Sequence, residues 1–193
     1  MKSFEVTGGR KLSGEITPQG AKNEALQVIC AVLLTGEEVT ISNIPDILDV
    51  NMLIAMISDL GVEVNRVSPD TYSFKAANVL TDKIYDADFL KKAMMLRGSV
   101  MLAGPLLARF GRSAIPRPGG DKIGRRRMDT HIIGLQKLGA NVDYDQCHGC
   151  YRLSADRIKG ADILLDEPSV TGTANLVMAA VLAEGETTIY NAA

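Results

Sequence analysis

The sequence predicts an α/β protein whose helices are buried and whose sheets lie around them, the reverse of the usual α/β barrel. Three observations point there. The stretch Ala25 to Leu34 is apolar at every position except Gln27, so a helix there must be covered on most sides. Leu34 to Asn43, Leu-Thr-Gly-Glu-Glu-Val-Thr-Ile-Ser-Asn, is echoed by Leu182 to Asn191, Leu-Ala-Glu-Gly-Glu-Thr-Thr-Ile-Tyr-Asn. Leu60-Gly61-Val62-Glu63-Val64 is echoed by Leu138-Gly139-Ala140-Asn141-Val142. Internal repetition at this scale organises the whole chain.

The elements follow in order. Ala25 to Leu33 reads as the first apolar helix; Gly36 follows it and precedes a short β-branched strand. Val50 to Leu60 has helical period, with Met52, Leu53, Met56, Ile57 and Leu60 on one face, and Gly61 stands where a left-handed closing residue is wanted. Gly98 to Ala108 reads as a second apolar helix, followed by Gly111 and the strand Ser113-Ala114-Ile115. His131 to Leu138 is amphipathic and ends at Gly139. Ala174 to Val181 is a third apolar helix, entering a strand near Ile189.

The repeated unit is thus apolar helix, Gly, strand, loop, amphipathic helix, Gly, strand. Unit one covers 4–74 and unit two 83–153; unit three starts near Ile163 and stops at Ala193, just past Asn191. The chain therefore reads as a fragment ending inside a repeat. On spacing alone, chance similarity between α/β segments is the competing account.

Composition narrows the function classes. With 46% hydrophobic and 23% charged residues, 193 residues can build a sizeable core, which excludes a disordered chain. The net charge of -2 speaks against a general nucleic-acid or membrane-surface binder. No apolar run has the ~20 residues of a membrane span, and Met1 to Val6 lacks an apolar signal core, so a cytoplasmic location is expected. Three cysteines do not make a disulfide framework. Cys147-His148-Gly149-Cys150 is a lone pair without the second pair zinc requires, and reads as a hairpin tip; no metal and no cofactor are expected.

The densest chemical signal runs from Arg109 to Asp129. It holds Arg109, Arg112, Arg117, Lys122, Arg125, Arg126 and Arg127, interrupted by Asp121 alone. A local positive patch in an acidic chain marks an anionic ligand, although a solvated basic loop has the same composition. The patch leads into Met128-Asp129-Thr130-His131, where Asp129 is expected to cap a helix. Lys22-Asn23 and Arg97 each place a cation at an apolar helix start, the wrong sign for the helix dipole unless an anion offsets it, although on spacing alone Lys22 reads equally as a plain exposed lysine. Asp166-Glu167-Pro168-Ser169-Val170-Thr171-Gly172-Thr173 occupies the corresponding place before the third apolar helix, and its Gly and hydroxyls suit either a polar ligand or a plain N-capping turn. Repeat symmetry predicts that the three starts point at one region and form a cationic floor.

These residues resemble the UDP-N-acetylglucosamine enolpyruvyl transferase family (1-carboxyvinyltransferases of peptidoglycan synthesis). The resemblance spans essentially the whole chain. It is carried by Gly20-Ala21-Lys22-Asn23, Leu96-Arg97-Gly98-Ser99, Ala103-Gly104-Pro105-Leu106-Leu107-Ala108-Arg109, Pro118-Gly119-Gly120 and Leu182-Ala183-Glu184-Gly185. It implies the enolpyruvyl transferase fold, an inside-out α/β barrel of repeated βαβαββ units around buried helices. It further implies that residues 1–20 pair with a second domain, while 21–193 form an incomplete first α/β domain.

The resemblance implies transfer of enolpyruvyl from phosphoenolpyruvate to the 3-hydroxyl of UDP-N-acetylglucosamine, with phosphate release. Lys22 matches the lysine that contacts phosphoenolpyruvate and Asn23 the adjacent binding residue; Arg97 matches a site arginine. Arg126, Arg127, Met128, Asp129 and Thr130 match one sugar-nucleotide stretch, and Glu167, Pro168, Ser169 and Val170 a second. The family's base-role Asp and a further Arg are expected beyond Ala193. Asp121 stands where most members carry the general-acid Cys that fosfomycin alkylates; an Asp can still donate a proton, so activity with poor fosfomycin sensitivity is expected. Arg127 replaces the usual Pro and Thr171 the common Gly.

The competing functions are the shikimate-pathway enolpyruvyl transferase, a non-catalytic module binding anionic ligands, and RNA binding, which scarce aromatics disfavour. Small-molecule substrates are the expected partners. No nucleic acid or membrane is expected, and the fragment is expected to be inactive alone, with self-association open.

Overall fold

A computed structural model describes residues 3–117 and 127–193. Within them the first two units have the same architecture. In unit one, α1 (Lys22–Ala31), β1 (Glu38–Ile41), α2 (Leu48–Asp59), β2 (Glu63–Ser68) and β3 (Thr71–Lys75) give a sheet of order β1-β3-β2. After α3 (Ala87–Met95), unit two gives α4 (Ala103–Phe110), β4 (Arg112–Pro116), α5 (Asp129–Lys137), β5 (Asn141–Asp145) and β6 (Cys150–Ser154), in order β4-β6-β5. In each sheet the last strand lies between the other two and is antiparallel to both. Unit three supplies β7 (Asp162–Leu164), α6 (Val170–Ala180) and β8 (Thr188–Tyr190), with β7 and β8 parallel.

The register explains why the sheets close onto the helices. Phe74 of β3 is opposite Val39 and Val64, and Leu153 of β6 is opposite Ser113 and Val142. Phe74 and Leu153 are wholly buried, so each central strand sends its large side chain into the core. Burying a side chain of this size contributes roughly 1.5–3 kcal/mol. Gly61, Gly111 and Gly139 end helices at φ of 89°, 70° and 100°, a backbone region that glycine enters without a Cβ clash.

The helices meet at α6. Its Asn175 and Leu176 are fully buried. A Cβ on Gly104 of α4 would lie 2.3 Å from the Asn175 carbonyl oxygen, and one on Gly134 of α5 2.5 Å from Leu176 Cδ1. Glycine therefore sets how closely both helices approach α6.

Several expectations change. The apolar stretch Gly98 to Ala108 is not one α-helix: Arg97–Leu102 is a 3-10 helix and α4 starts at Ala103. Pro105 has no N–H for the Met101 carbonyl, and its ring crowds the preceding turn, so the tighter winding holds up to that point. Among the described helices only α4 is closed in, with residues 103–107 all buried; Val28 of α1 and Val177 of α6 remain 41% and 48% exposed on outer flanks. Asp129 does not cap α5. Met128 holds that position, while Asp129 is the first helical residue and accepts from Arg127 Nε at 2.9 Å. The helix α3, with Phe89, Leu90 and Ala93 on its buried face, went unrecognised in the sequence.

Residues 3–20 form neither helix nor strand. Phe4, Val6, Leu12 and Ile16 on this segment are 99%, 87%, 94% and 89% exposed. None of the described helices is long and apolar enough to cross a membrane.

Candidate functional site

Three helix starts converge on one cleft of about 430 Å³. Lys22 and Asn23 open α1, Arg97 and Gly98 open the 3-10 helix leading to α4, and Val170 and Thr171 open α6. All six line the cleft, with Asp49, Met95 and Met101 among the remaining walls. Repeat symmetry is the physical reason. The inner helices of successive units open on the same cleft, so their positive dipole ends share one side.

The cleft is not purely cationic. Asp49, in the first turn of α2, accepts from Lys22 Nζ at 2.9 Å. This carboxylate supplies the anion that the helix dipole demanded beside Lys22. The two residues are 27 apart in sequence, so no local pattern could have paired them. An ammonium has three donors, and one contact to Asp49 leaves others for a ligand.

A second cluster adjoins the cleft through the approach to α6. Thr130, almost fully buried, lies 3.1 Å from Asp166 Oδ1 and 3.5 Å from Glu167 Oε1. Arg127 bridges Asp129 and Asp166, each at 2.9 Å. Its hydrogen bond to Asp129, then the nearby Asp166 charge, hold the guanidinium still more firmly protonated than usual. Ser169 caps α6, its Oγ accepting from Gly172 N at 3.1 Å. Met128 packs half-buried against the core, while Glu167 and Pro168 are exposed.

The basic patch is therefore several structures. Arg109 donates from Nη1 to the carbonyls of Leu33, Thr35 and Ala76 at 3.0, 2.8 and 2.8 Å, tying the end of α1's extension and the exit of β3 to α4. Arg112 pairs with Asp82 at 2.7 Å. Both serve the scaffold. Asp121, Lys122, Arg125 and Arg126 lie outside the described residues. Cys147 to Gly149 form the tip between β5 and β6, as expected: Asp145 Oδ1 accepts from Cys147 N and His148 N, and Gly149 takes φ 62°. The His148 hydrogen bond, aided by Arg152, holds the Asp145 carboxyl down at about 2.

Behind the cleft wall sits a buried polar group that the sequence did not disclose. His131 and Asn175 are 2% and 0% exposed. Asn175 Oδ1 accepts from Gly104 N at 2.7 Å, and Asn175 Nδ2 lies 3.2 Å from the Val100 carbonyl and 3.0 Å from His131 Nδ1. His131 Nε2 is 3.3 Å from Thr171 Oγ1. Burial first, and the Arg97 charge second, push His131 down to about 4, so it is neutral near pH 7. Its position within an amphipathic helix gave no sign of this, because the partners are 40 and 44 residues away.

Inner helices whose starts open on one polar cleft, ringed by small sheets of repeated topology, define an enolpyruvyl transferase fold. Solved structures with this arrangement include the enolpyruvyl transferase NikO from Streptomyces tendae (TM-score 0.75, 20% identity, 94% of this chain and 41% of that one). EPSP synthase from Acinetobacter baumannii also has it (TM-score 0.66, 18% identity, 91% and 40%). The chain belongs to the EPSP synthase (3-phosphoshikimate 1-carboxyvinyltransferase) family, whose sequence profile matches residues 6–193. Among curated relatives it is 63% identical over 193 residues to a UDP-N-acetylglucosamine 1-carboxyvinyltransferase of Bacteroides fragilis and 58% to that of Porphyromonas gingivalis. It spans 44% of the length of each.

Proposed function

We propose that the cleft takes phosphoenolpyruvate and that a protein carrying this chain transfers its enolpyruvyl group to the 3-hydroxyl of UDP-N-acetylglucosamine, in cytoplasmic peptidoglycan synthesis. The observation that carries the proposal is the meeting of Lys22, Asn23 and Arg97 with the start of α6 around one cleft. Two cations and several helix N-termini suit a ligand bearing a phosphate and a carboxylate. The 63% identity to a sugar-nucleotide enzyme favours UDP-N-acetylglucosamine over shikimate 3-phosphate as acceptor, even though the family is named for the latter.

In this reading Lys22 and Arg97 hold the anionic ends and Asn23 orients the reacting groups. Arg126, Met128, Asp129 and Thr130, with Glu167, Pro168, Ser169 and Val170, receive the sugar nucleotide. Arg127, already bridging Asp129 and Asp166, holds those two stretches together. Asp121 gives its proton to the methylene carbon of phosphoenolpyruvate as the sugar 3-oxygen bonds to the central carbon and loses its own proton to a base. The resulting tetrahedral adduct then loses a methyl proton and its phosphate, which restores the double bond. The cations flanking Asp121 favour its charged form, and exclusion of water beside a dianionic substrate works the other way. Residues 3–20, with their exposed apolar side chains, pair with a further domain.

The test is phosphate release by the full-length protein given phosphoenolpyruvate with either acceptor. Turnover with UDP-N-acetylglucosamine and none with shikimate 3-phosphate is expected; the opposite preference rejects the assignment. Asp121→Asn should lower turnover on the order of 10²-fold or more, and full activity in that variant would remove Asp121 as the acid. Fosfomycin should leave no covalent adduct on the wild-type protein, because a carboxylate there cannot form the thioether.

A further inference from the structure

The buried His131–Asn175 chain has a fixed direction, and following it leads back to the cleft. Gly104 N–H can only donate, so the Asn175 atom 2.7 Å from it is the carbonyl oxygen. The other amide atom is then the NH₂, which donates to the Val100 carbonyl at 3.2 Å and to His131 Nδ1 at 3.0 Å. A flipped amide would set donor against donor at Gly104 and acceptor against acceptor at Val100. His131 Nδ1 must therefore be unprotonated, and a neutral imidazole then carries its proton on Nε2. That N–H faces Thr171 Oγ1 at 3.3 Å, so the threonine oxygen accepts and its own proton turns elsewhere. Thr171 lines the cleft alongside Lys22 and Arg97.

We propose that Thr171 is a further ligand-binding residue, its hydroxyl proton aimed at an anionic oxygen in the cleft, with His131 and Asn175 as the positioning residues that aim it. The inference rests on the reading of the cleft as a phosphoenolpyruvate site. Its physical advantage is pre-organisation. A free hydroxyl rotates among several orientations, whereas this one has its acceptor lone pair already engaged by a buried donor. The low affinity of His131 for protons keeps the chain neutral at the pH where the ligand is fully charged. Asn23 stands second in α1 as Thr171 stands second in α6, so two inner helices present a polar side chain at the same step.

The experiment has two parts, both on the full-length protein. Calorimetric titration with phosphoenolpyruvate compares wild type, Thr171→Val, Thr171→Ser and Lys22→Ala. A hydrogen bond to a charged group predicts roughly ten-fold weaker binding for Thr171→Val, with Thr171→Ser restoring it to about wild type. Nitrogen-15 NMR of labelled histidine reads the tautomer directly: the Nε2–H form is expected for His131. If wild type binds and Lys22→Ala weakens binding while Thr171→Val binds like wild type, the threonine role is wrong and the cleft assignment stands. A loss of thermal stability alone in Thr171→Val, with unchanged affinity, overturns it in the same way. A proton on Nδ1 of His131 overturns the positioning role. No binding by wild type would sink the cleft assignment and this inference together.

Discussion

The mouths of α1 and α6 occupy the same place in their repeats and are built by opposite means. At α1 the polar groups are exposed and charged: Lys22 and Asp49 form a 2.9 Å ion pair with side chains 49% and 40% accessible. At α6 they are neutral and supported from behind by buried His131 and Asn175. Exposed ion pairs contribute about 0–1 kcal/mol and weaken with salt, so Lys22 can exchange partners at little cost. A buried, fully hydrogen-bonded amide and imidazole cannot rearrange without leaving an unsatisfied group. One mouth adapts to a ligand, and the other holds a fixed geometry against which the ligand is placed.

The sharpest way to break this contrast is Asn175→Ala. It strands the buried Gly104 N–H and removes the donor to His131, and at 1–3 kcal/mol for each stranded group should cost about 4 kcal/mol, read from urea unfolding. A loss under 1 kcal/mol would mean that the α6 mouth is no more rigid than the α1 mouth.

Acid provides the next largest effect. The unfolded chain protonates His131 near 6.5, the folded one only near 4. Between these values the unfolded state binds the extra proton, so this part of the stability is present above pH 6.5 and falls as pH drops toward 4. The loss is on the order of 3 kcal/mol. His131→Gln should lack that part of the slope, and a variant retaining it would place the titrating group elsewhere.

At the α1 mouth the same measurements should barely move. Asp49→Asn is expected to shift stability by less than about 1 kcal/mol, and the difference from wild type should shrink further in high salt. Lys22→Ala should likewise leave thermal stability near wild type while weakening phosphoenolpyruvate binding by roughly ten-fold or more. If both properties fell together, the separation between an adaptable and a fixed mouth would be lost.

How much of this could be read from the chain depended on the distance between partners. The echoes Leu60-Gly61 and Leu138-Gly139, and the Gly-flanked strands, are local patterns, and the units appeared in the expected order with the expected left-handed glycines. The third apolar helix was legible from Ala174, but α6 starts four residues earlier at Val170, where Ser169 caps it. Asp129 was misplaced by one position because its carboxylate prefers Arg127, itself drawn toward Asp166 across 39 residues of chain. Arg109 looked like part of an anion patch and instead closes the main-chain carbonyls of Leu33 and Thr35 in unit one and of Ala76 just past it.

Period and punctuation in the sequence thus determined the repeat, the apolar helices and the cations at their starts, because these follow from neighbours within a few residues. Only the tertiary structure decided that Lys22 faces Asp49, that Gly104 admits Asn175, and that His131 turns its Nε2 toward Thr171. Those pairings join residues 27, 71 and 40 apart. The first joins two helices of one repeat and the other two join one repeat to the next, so their physical cause is helix packing that no local sequence pattern encodes.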